Sequence, residues 1–236
     1  MVSAGLFYRA YDGIKQKIWK VVGTKLYKER SVFLANLLNE LKNELKFSDS
    51  IRASEHFSLD IGCGIGDLTK KISEIYHSRA IGVDIDKRFV FDSGAVFLVA
   101  DGCLLPFKPK AFVLITAVSL IEHIHEECRQ RFYEEVSRVL EDNGIFIIQL
   151  PNRYFLIEQH SFLPLVGYLP SRLHSLFYYS YVSVPSKSET VKELIKSGFI
   201  TVLVVEYGIP ISRFSQKNLF SKFLPFGFII VARKRL

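Results

Sequence analysis

The spacing of apolar residues changes along the chain, and each change marks an element. From residue 5 to 46 the period is helical. Leu6, Tyr8, Tyr11, Ile14, Ile18 and Trp19 give a rough first face. Val32, Leu34, Leu37, Leu38, Leu41 and Leu45 give a cleaner second face, with lysines and glutamates opposite. From residue 57 short apolar runs alternate with amphipathic stretches. Strands are predicted from Phe57 into Asp60, over 79–86 with Asp84 at the tip, and over 96–100, 111–118, 145–150, 199–205 and 226–232. Helices are predicted from Asp67 to near Tyr76 and from about Glu126 until Asn143-Gly144 stops it. A third, capped by Ser188 or Thr190 and ended by Gly198, carries Val191, Leu194 and Ile195. Regular alternation of this kind predicts an α/β sheet of mostly parallel strands. The run from Ala111 to Val118 is apolar throughout, as a central strand covered on both faces requires.

Between the first strand and its helix lies Asp60-Ile-Gly-Cys-Gly-Ile-Gly66, with Gly62, Gly64 and Gly66 at every second position. Glycine accepts positive φ and lets a ligand approach the backbone closely. The following helix aims unpaired N–H groups and its positive dipole end at the turn, which suits the anionic end of a nucleotide-like ligand. A dinucleotide site wants its third glycine three positions after the second, where this chain has Asp67. A nicotinamide enzyme is therefore a poor fit. Asp84 stands near the spacing at which a carboxylate on the second strand tip accepts two ribose hydroxyls.

The pattern Asp-x-Gly-x-Gly-x-Gly resembles the first motif of class I S-adenosylmethionine (SAM)-dependent methyltransferases. Asp101-Gly-Cys-Leu-Leu-Pro-Phe107 resembles that family's adenine-recognition loop, with Gly102 in place of the commoner alanine. Ser119-Leu-Ile-Glu-His123 resembles its Leu-Glu-His segment after the fourth strand. The usual Phe-Asp opening of that strand is Phe112-Val113 here, far from the ligand end. The resemblance covers residues 57–150 by motif and the rest by element order. It implies a doubly wound, Rossmann-like sheet of seven strands whose last strand is antiparallel. The helical spacing near the start predicts N-terminal helices within 1–46, the change of pattern after the fifth strand predicts a lid-like insertion, and the length favours one domain spanning 1–236.

The resemblance assigns SAM binding to Asp60, Gly62, Cys63, Gly64, Gly66, Asp84, Ile85, Asp101, Gly102 and Ser119. Glu122 and His123 would form the floor of the active site. His123 and His160 are the candidate catalytic residues, should the acceptor need a base. The Leu-Pro-Phe and Glu-His pieces look most like the small-molecule branch, which includes quinone-biosynthesis enzymes.

Residues 153–185 lose any clean period. Tyr154, Phe155, Phe162, Tyr168, Phe177, Tyr178, Tyr179 and Tyr181 crowd between Pro164, Pro170 and Pro185. Such an insertion reads as a packed substrate lid, with a membrane-touching face or an oligomer contact as alternatives. His160 and Arg153 belong to it. The aromatic content favours a small apolar or aromatic methyl acceptor. An RNA methyltransferase is the alternative suggested by 31 basic against 24 acidic residues, a net charge of +7. Against it, the chain has Val118-Ser-Leu-Ile121 where many amino-group nucleic-acid methylators carry Asn/Asp-Pro-Pro-aromatic. A SAM-binding protein without catalysis is the third reading.

Cys63, Cys103 and Cys128 have neither metal-ligand nor redox spacing, so no metal is expected and a reducing, cytoplasmic setting is. No leader pattern opens the sequence, and its longest apolar run is too short to span a bilayer as a helix.

Overall fold

The structure is a computed structural model that describes residues 32–40, 57–87, 96–161, 163–169, 182–208 and 225–235. The expectations for residues 5–31 and 41–46 fall outside these, as do those for Phe162, Pro170, Phe177, Tyr178, Tyr179 and Tyr181. Among the described residues, helix α1 (32–40) buries Leu34, Leu37 and Leu38 of the expected face together with Ala35, while Val32, expected on that face, is exposed. Strand β1 (Phe57–Ile61) feeds the glycine turn and α2 (Asp67–Tyr76). Then come β2 (Arg79–Asp84), β3 (Val96–Val99), β4 (Phe112–Val118), α3 (Glu126–Val139) and β5 (Leu140–Pro151). After the insertion follow α4 (Lys187–Lys196), β6 (Phe199–Tyr207) and β7 (Gly227–Lys234).

The seven strands form one sheet in the order β3-β2-β1-β4-β5-β7-β6. β1 pairs parallel with β2 and β4, β2 with β3, and β4 with β5. β7 runs antiparallel between β5 and β6, which closes the sheet as expected. Each face carries its own core. On one, Phe132, Tyr133, Val136 and Val139 of α3 and Leu194 of α4 pack on Ile115, Phe146 and Ile148. On the other, Leu34 and Leu38 of α1 and Leu68, Ile72 and Tyr76 of α2 pack on Leu114, Ile145 and Ile147. Alternate residues of β5 thus serve opposite layers, as strand geometry dictates.

Two local expectations are corrected. α3 ends at Val139, before Asn143-Gly144, because Leu140 already pairs with Phe112. The register then jumps to Leu114 with Ile145, and Asn143, at φ 63°, sits in the resulting bulge. The cap of α4 is Ser186, neither Ser188 nor Thr190. Ser186 and Glu189 form a reciprocal capping box, which fixes the helix start right after Pro185. At the end of β7 the Lys234 ammonium donates to the Leu140 carbonyl at 2.9 Å, tying the strand to the bulge.

From β1 the chain moves outward through β2 and β3, then crosses back to β4 on the other side of β1. A crevice opens where strand order reverses, at the carboxyl ends of β1 and β4. Every residue of interest lies there.

Candidate active site

The turn after β1 is built from the inside out. Gly62 and Cys63 donate their N–H groups to the Val83 carbonyl at 2.7 and 3.1 Å, locking the turn against β2. Gly62, Gly64 and Gly66 have φ of 72°, 52° and 80°. At Gly66 an added Cβ would stand 2.1 Å from the Phe97 ring. Gly66 also begins α2 without any side-chain cap, so the first N–H groups of that helix face the crevice uncapped.

Asp84 closes the turn from the neighbouring strand. Its Oδ2 accepts the Gly64 N–H and its Oδ1 the Asp86 N–H, both at 2.9 Å. The carboxylate is half-buried and oriented by these two donors, with acceptor capacity to spare. Ile85 beside it is 73% exposed, an open apolar surface at the strand tip. Beyond β3, Asp101 makes a tight turn: its Oδ1 accepts the Cys103 N–H at 2.8 Å. The loop is then clamped by α3. Arg138 donates to the Phe107 and Leu105 carbonyls at 2.8 and 2.9 Å, while Glu135 accepts the Leu105 N–H at 2.9 Å. Gly102 fits here because a Cβ would stand 3.1 Å from both Ile61 and Phe132.

At the end of β4 the backbone turns sharply. Ser119 has φ 48°, a left-handed conformation that costs a side-chain-bearing residue about 1–3 kcal/mol. Its hydroxyl donates to Gln149 Oε1 at 2.9 Å, and Gln149 donates to the Tyr207 hydroxyl at 2.6 Å. The strained corner aims the next turn, Ile121–His123, under the crevice. There Glu122 is fully buried, and among the described residues neither of its carboxylate oxygens has a hydrogen-bond partner. His160 arrives from the insertion: its Nε2 lies 3.9 Å from Glu122 Oε1, and its ring meets His123 edge-on at 5.2 Å. His160 Nδ1 lies 2.8 Å from Glu158. Burial alone would raise the Glu158 pKa, but the His160 ring and the backbone N–H groups of His160 and Ser161 outweigh it and hold the carboxyl at about 2.

Residues 59–148, from β1 to β5, match the family model described as a methyltransferase domain. Over those residues the chain carries a methyltransferase domain. An uncharacterized protein of Methanocaldococcus jannaschii is 31% identical over 153 residues, 62% of this chain and 55% of that protein. Ajmaline N-methyltransferase of Rauvolfia serpentina is 26% identical over 126 residues, 49% of this chain and 43% of that enzyme. The chain spans about half the length of the curated relatives it matches. Among solved structures, an S-adenosylmethionine-dependent methyltransferase from Clostridium acetobutylicum shares the fold with a TM-score of 0.62 at 13% identity, over 96% of this chain and 100% of that one.

Within this methyltransferase domain, Gly62, Gly64, Gly66, Asp84, Ile85, Asp101, Gly102 and Ser119 all come to the strand tips around the crevice. Two residues do not present side chains to it. Asp60 is buried beneath the turn, its oxygens taken by Thr116 and Thr69, each at 2.7 Å. Those two bonds tie β1 to β4 and α2 beneath the turn. The Cys63 side chain points away, where its sulfur would meet a Cβ on Gly82 at 2.8 Å. Burial pushes the Cys63 thiol well up and the Cys103 thiol to about 11, so neither is a nucleophile. His123 and His160 meet, which no spacing foretold. The Glu135–Arg138 clamp was missed altogether; on a helix surface an i, i+3 ion pair signals nothing beyond itself.

Proposed function

We propose that the protein transfers a methyl group from SAM to a small acceptor, apolar or aromatic in body, held over the turn at Ile121–His123. The observation that carries this is the meeting of His123 and His160 with the buried Glu122 beside the strained end of β4. The cradle suits the cofactor: glycines at positive φ, an uncapped helix end for the amino-acid carboxylate, and Asp84 oriented by two backbone donors for the ribose hydroxyls. Ile85 gives the adenine an apolar face, and Asp101 with Gly102 its polar edge. When bound, SAM supplies an electrophilic methyl: an acceptor lone pair forms the new bond while the C–S pair returns to sulfur. The chain's task is then placement, since holding two reactants in line accounts for much of such a barrier.

The insertion supplies the acceptor side. Tyr154, Leu156, Ile157, Leu165 and Tyr168 leave large apolar surfaces open. Among its described residues Val166 and Val182 pack together, with Leu163 and Val184 against them. Relatives include enzymes named for ajmaline and for sphingolipid C9 methylation, which fits an apolar acceptor. Incubation with methyl-labelled SAM and extracts of small molecules, of lipids and of tRNA decides among acceptor classes. Label in a small molecule or lipid supports the reading. Label in tRNA alone, or SAM binding with no labelled product, overturns it.

A further inference from the structure

Glu122 is a carboxyl group removed from water, and among the described residues neither of its oxygens is hydrogen-bonded. Burying an ionised carboxylate without compensation costs several kcal/mol, so such a group marks a place where a positive partner binds. His160 Nε2, at 3.9 Å, is beyond hydrogen-bond reach of it. We propose that Glu122, His123 and His160 form a site for one divalent cation of the zinc class.

The donor atoms of these three side chains all lie within 4.8 Å of one another. Ligands about 2.1 Å from a shared ion stand about 3.4 Å apart, so closure by up to about 1.4 Å completes the site. The exposed His123 ring can swing to provide much of it. His160 is already oriented as a ligand. Glu158 receives its Nδ1–H at 2.8 Å, which directs Nε2 toward Glu122. Glu158 is itself fixed by the N–H groups of His160, at 3.0 Å, and Ser161, at 2.6 Å. A carboxylate behind a ligating histidine is the usual means of setting its tautomer and direction. Two imidazoles and one carboxylate suit Zn²⁺, Mn²⁺, Fe²⁺ or Co²⁺, whereas Mg²⁺ and Ca²⁺ prefer oxygen-only sets. Three protein donors leave a position open toward the crevice. There the ion would hold an acceptor oxygen or nitrogen and ease the loss of its proton to solvent. That last role rests on the methyl-transfer reading; cation binding does not. The spacing Glu122-His123 gave no sign of this, because the third donor comes from the far side of β5.

Zn²⁺ is titrated calorimetrically into the full chain freed of metal by chelator, and Co²⁺ is added in parallel for its ligand-field spectrum. One saturable equivalent is expected, with a low-coordinate Co²⁺ absorption. Glu122→Gln and His160→Gln should each weaken Zn²⁺ binding at least 10-fold and leave the affinity for S-adenosylhomocysteine within 2-fold. Glu158→Gln should weaken Zn²⁺ by a smaller factor. Asp84→Ala should do the reverse, losing the nucleoside and keeping the metal. Absence of a saturable equivalent, or variants at Glu122 and His160 that bind Zn²⁺ as the parent does, overturns the proposal. Metal binding that survives while extracts show no methylation would remove the methyl-transfer reading and leave the site standing.

Discussion

Thr116 of β4 donates its hydroxyl to Asp60 of β1 at 2.7 Å, joining the two strands directly beneath the switch point. The other Asp60 oxygen takes Thr69 of α2 at 2.7 Å, so one carboxylate ties sheet, turn and helix together. Burial dominates its titration and, despite the two hydroxyls, pushes the carboxyl up to about 6 from 3.8. The folded value exceeds the unfolded one, so the Asp60 contribution is fully present below the unfolded value and is lost as pH rises through the folded one. The shift corresponds to about 3 kcal/mol. Asp60→Asn keeps one acceptor and one donor for the two hydroxyls and abolishes the titration. Urea unfolding of both proteins between about pH 4 and 7 should show the stability of the parent, relative to the variant, falling by up to about 3 kcal/mol. A difference that stays flat across that window refutes the buried-acid account.

Asp84 offers the sharper ligand test. Asp84→Asn leaves one acceptor where two backbone N–H groups now converge, and removes the charge that favours ribose hydroxyls. Affinity for S-adenosylhomocysteine should fall roughly 10- to 100-fold, about 1.4–2.7 kcal/mol. Calorimetry reads this directly, and an unchanged Kd means the nucleoside binds elsewhere.

Gly66 is where sterics and φ coincide. Gly66→Ala places a methyl 2.1 Å from the Phe97 ring and holds alanine at φ 80°. Overlap and left-handed strain together should cost about 3 kcal/mol. Adding Phe97→Ala relieves the overlap alone. A double-mutant cycle on urea midpoints should give a favourable coupling of about 1–3 kcal/mol, and zero coupling would mean the ring simply moves aside.

How far the sequence could be read follows the range of the physics. The seven strands, α2 and the glycine turn rest on local patterns: period, turn residues and the wholly apolar β4. Those patterns placed Asp84 and Asp101 correctly at strand tips. What local pattern could not carry was direction. Asp60 and Cys63 belong to the motif, yet their side chains turn inward, which depends on Thr116, Thr69 and Gly82 from other elements. The meeting of His160 with His123 depends likewise on the path of a loop that has no period. Ser186 was a local signal that went unused, since Ser-x-x-Glu is itself a start pattern.

The clamp on the adenine-side loop yields the last prediction. Arg138 spans two carbonyls of the loop and pairs with Glu135, whose carboxyl is held below its ordinary range chiefly by that guanidinium. The Arg138 guanidinium bonds to Glu135 and to the Leu105 and Phe107 carbonyls, so it acts by fixing where Asp101 and Gly102 stand. Arg138→Ala removes two charge-assisted bonds to carbonyls, a stability cost of about 1–3 kcal/mol. A purely structural residue would stop there. Positioning predicts more: S-adenosylhomocysteine affinity lower by about 1 kcal/mol, faster amide exchange over residues 101–107, and substantial recovery of both in Arg138→Lys, which can still reach one carbonyl. If the variant loses stability while the nucleoside binds as before, the loop does not depend on its clamp for binding.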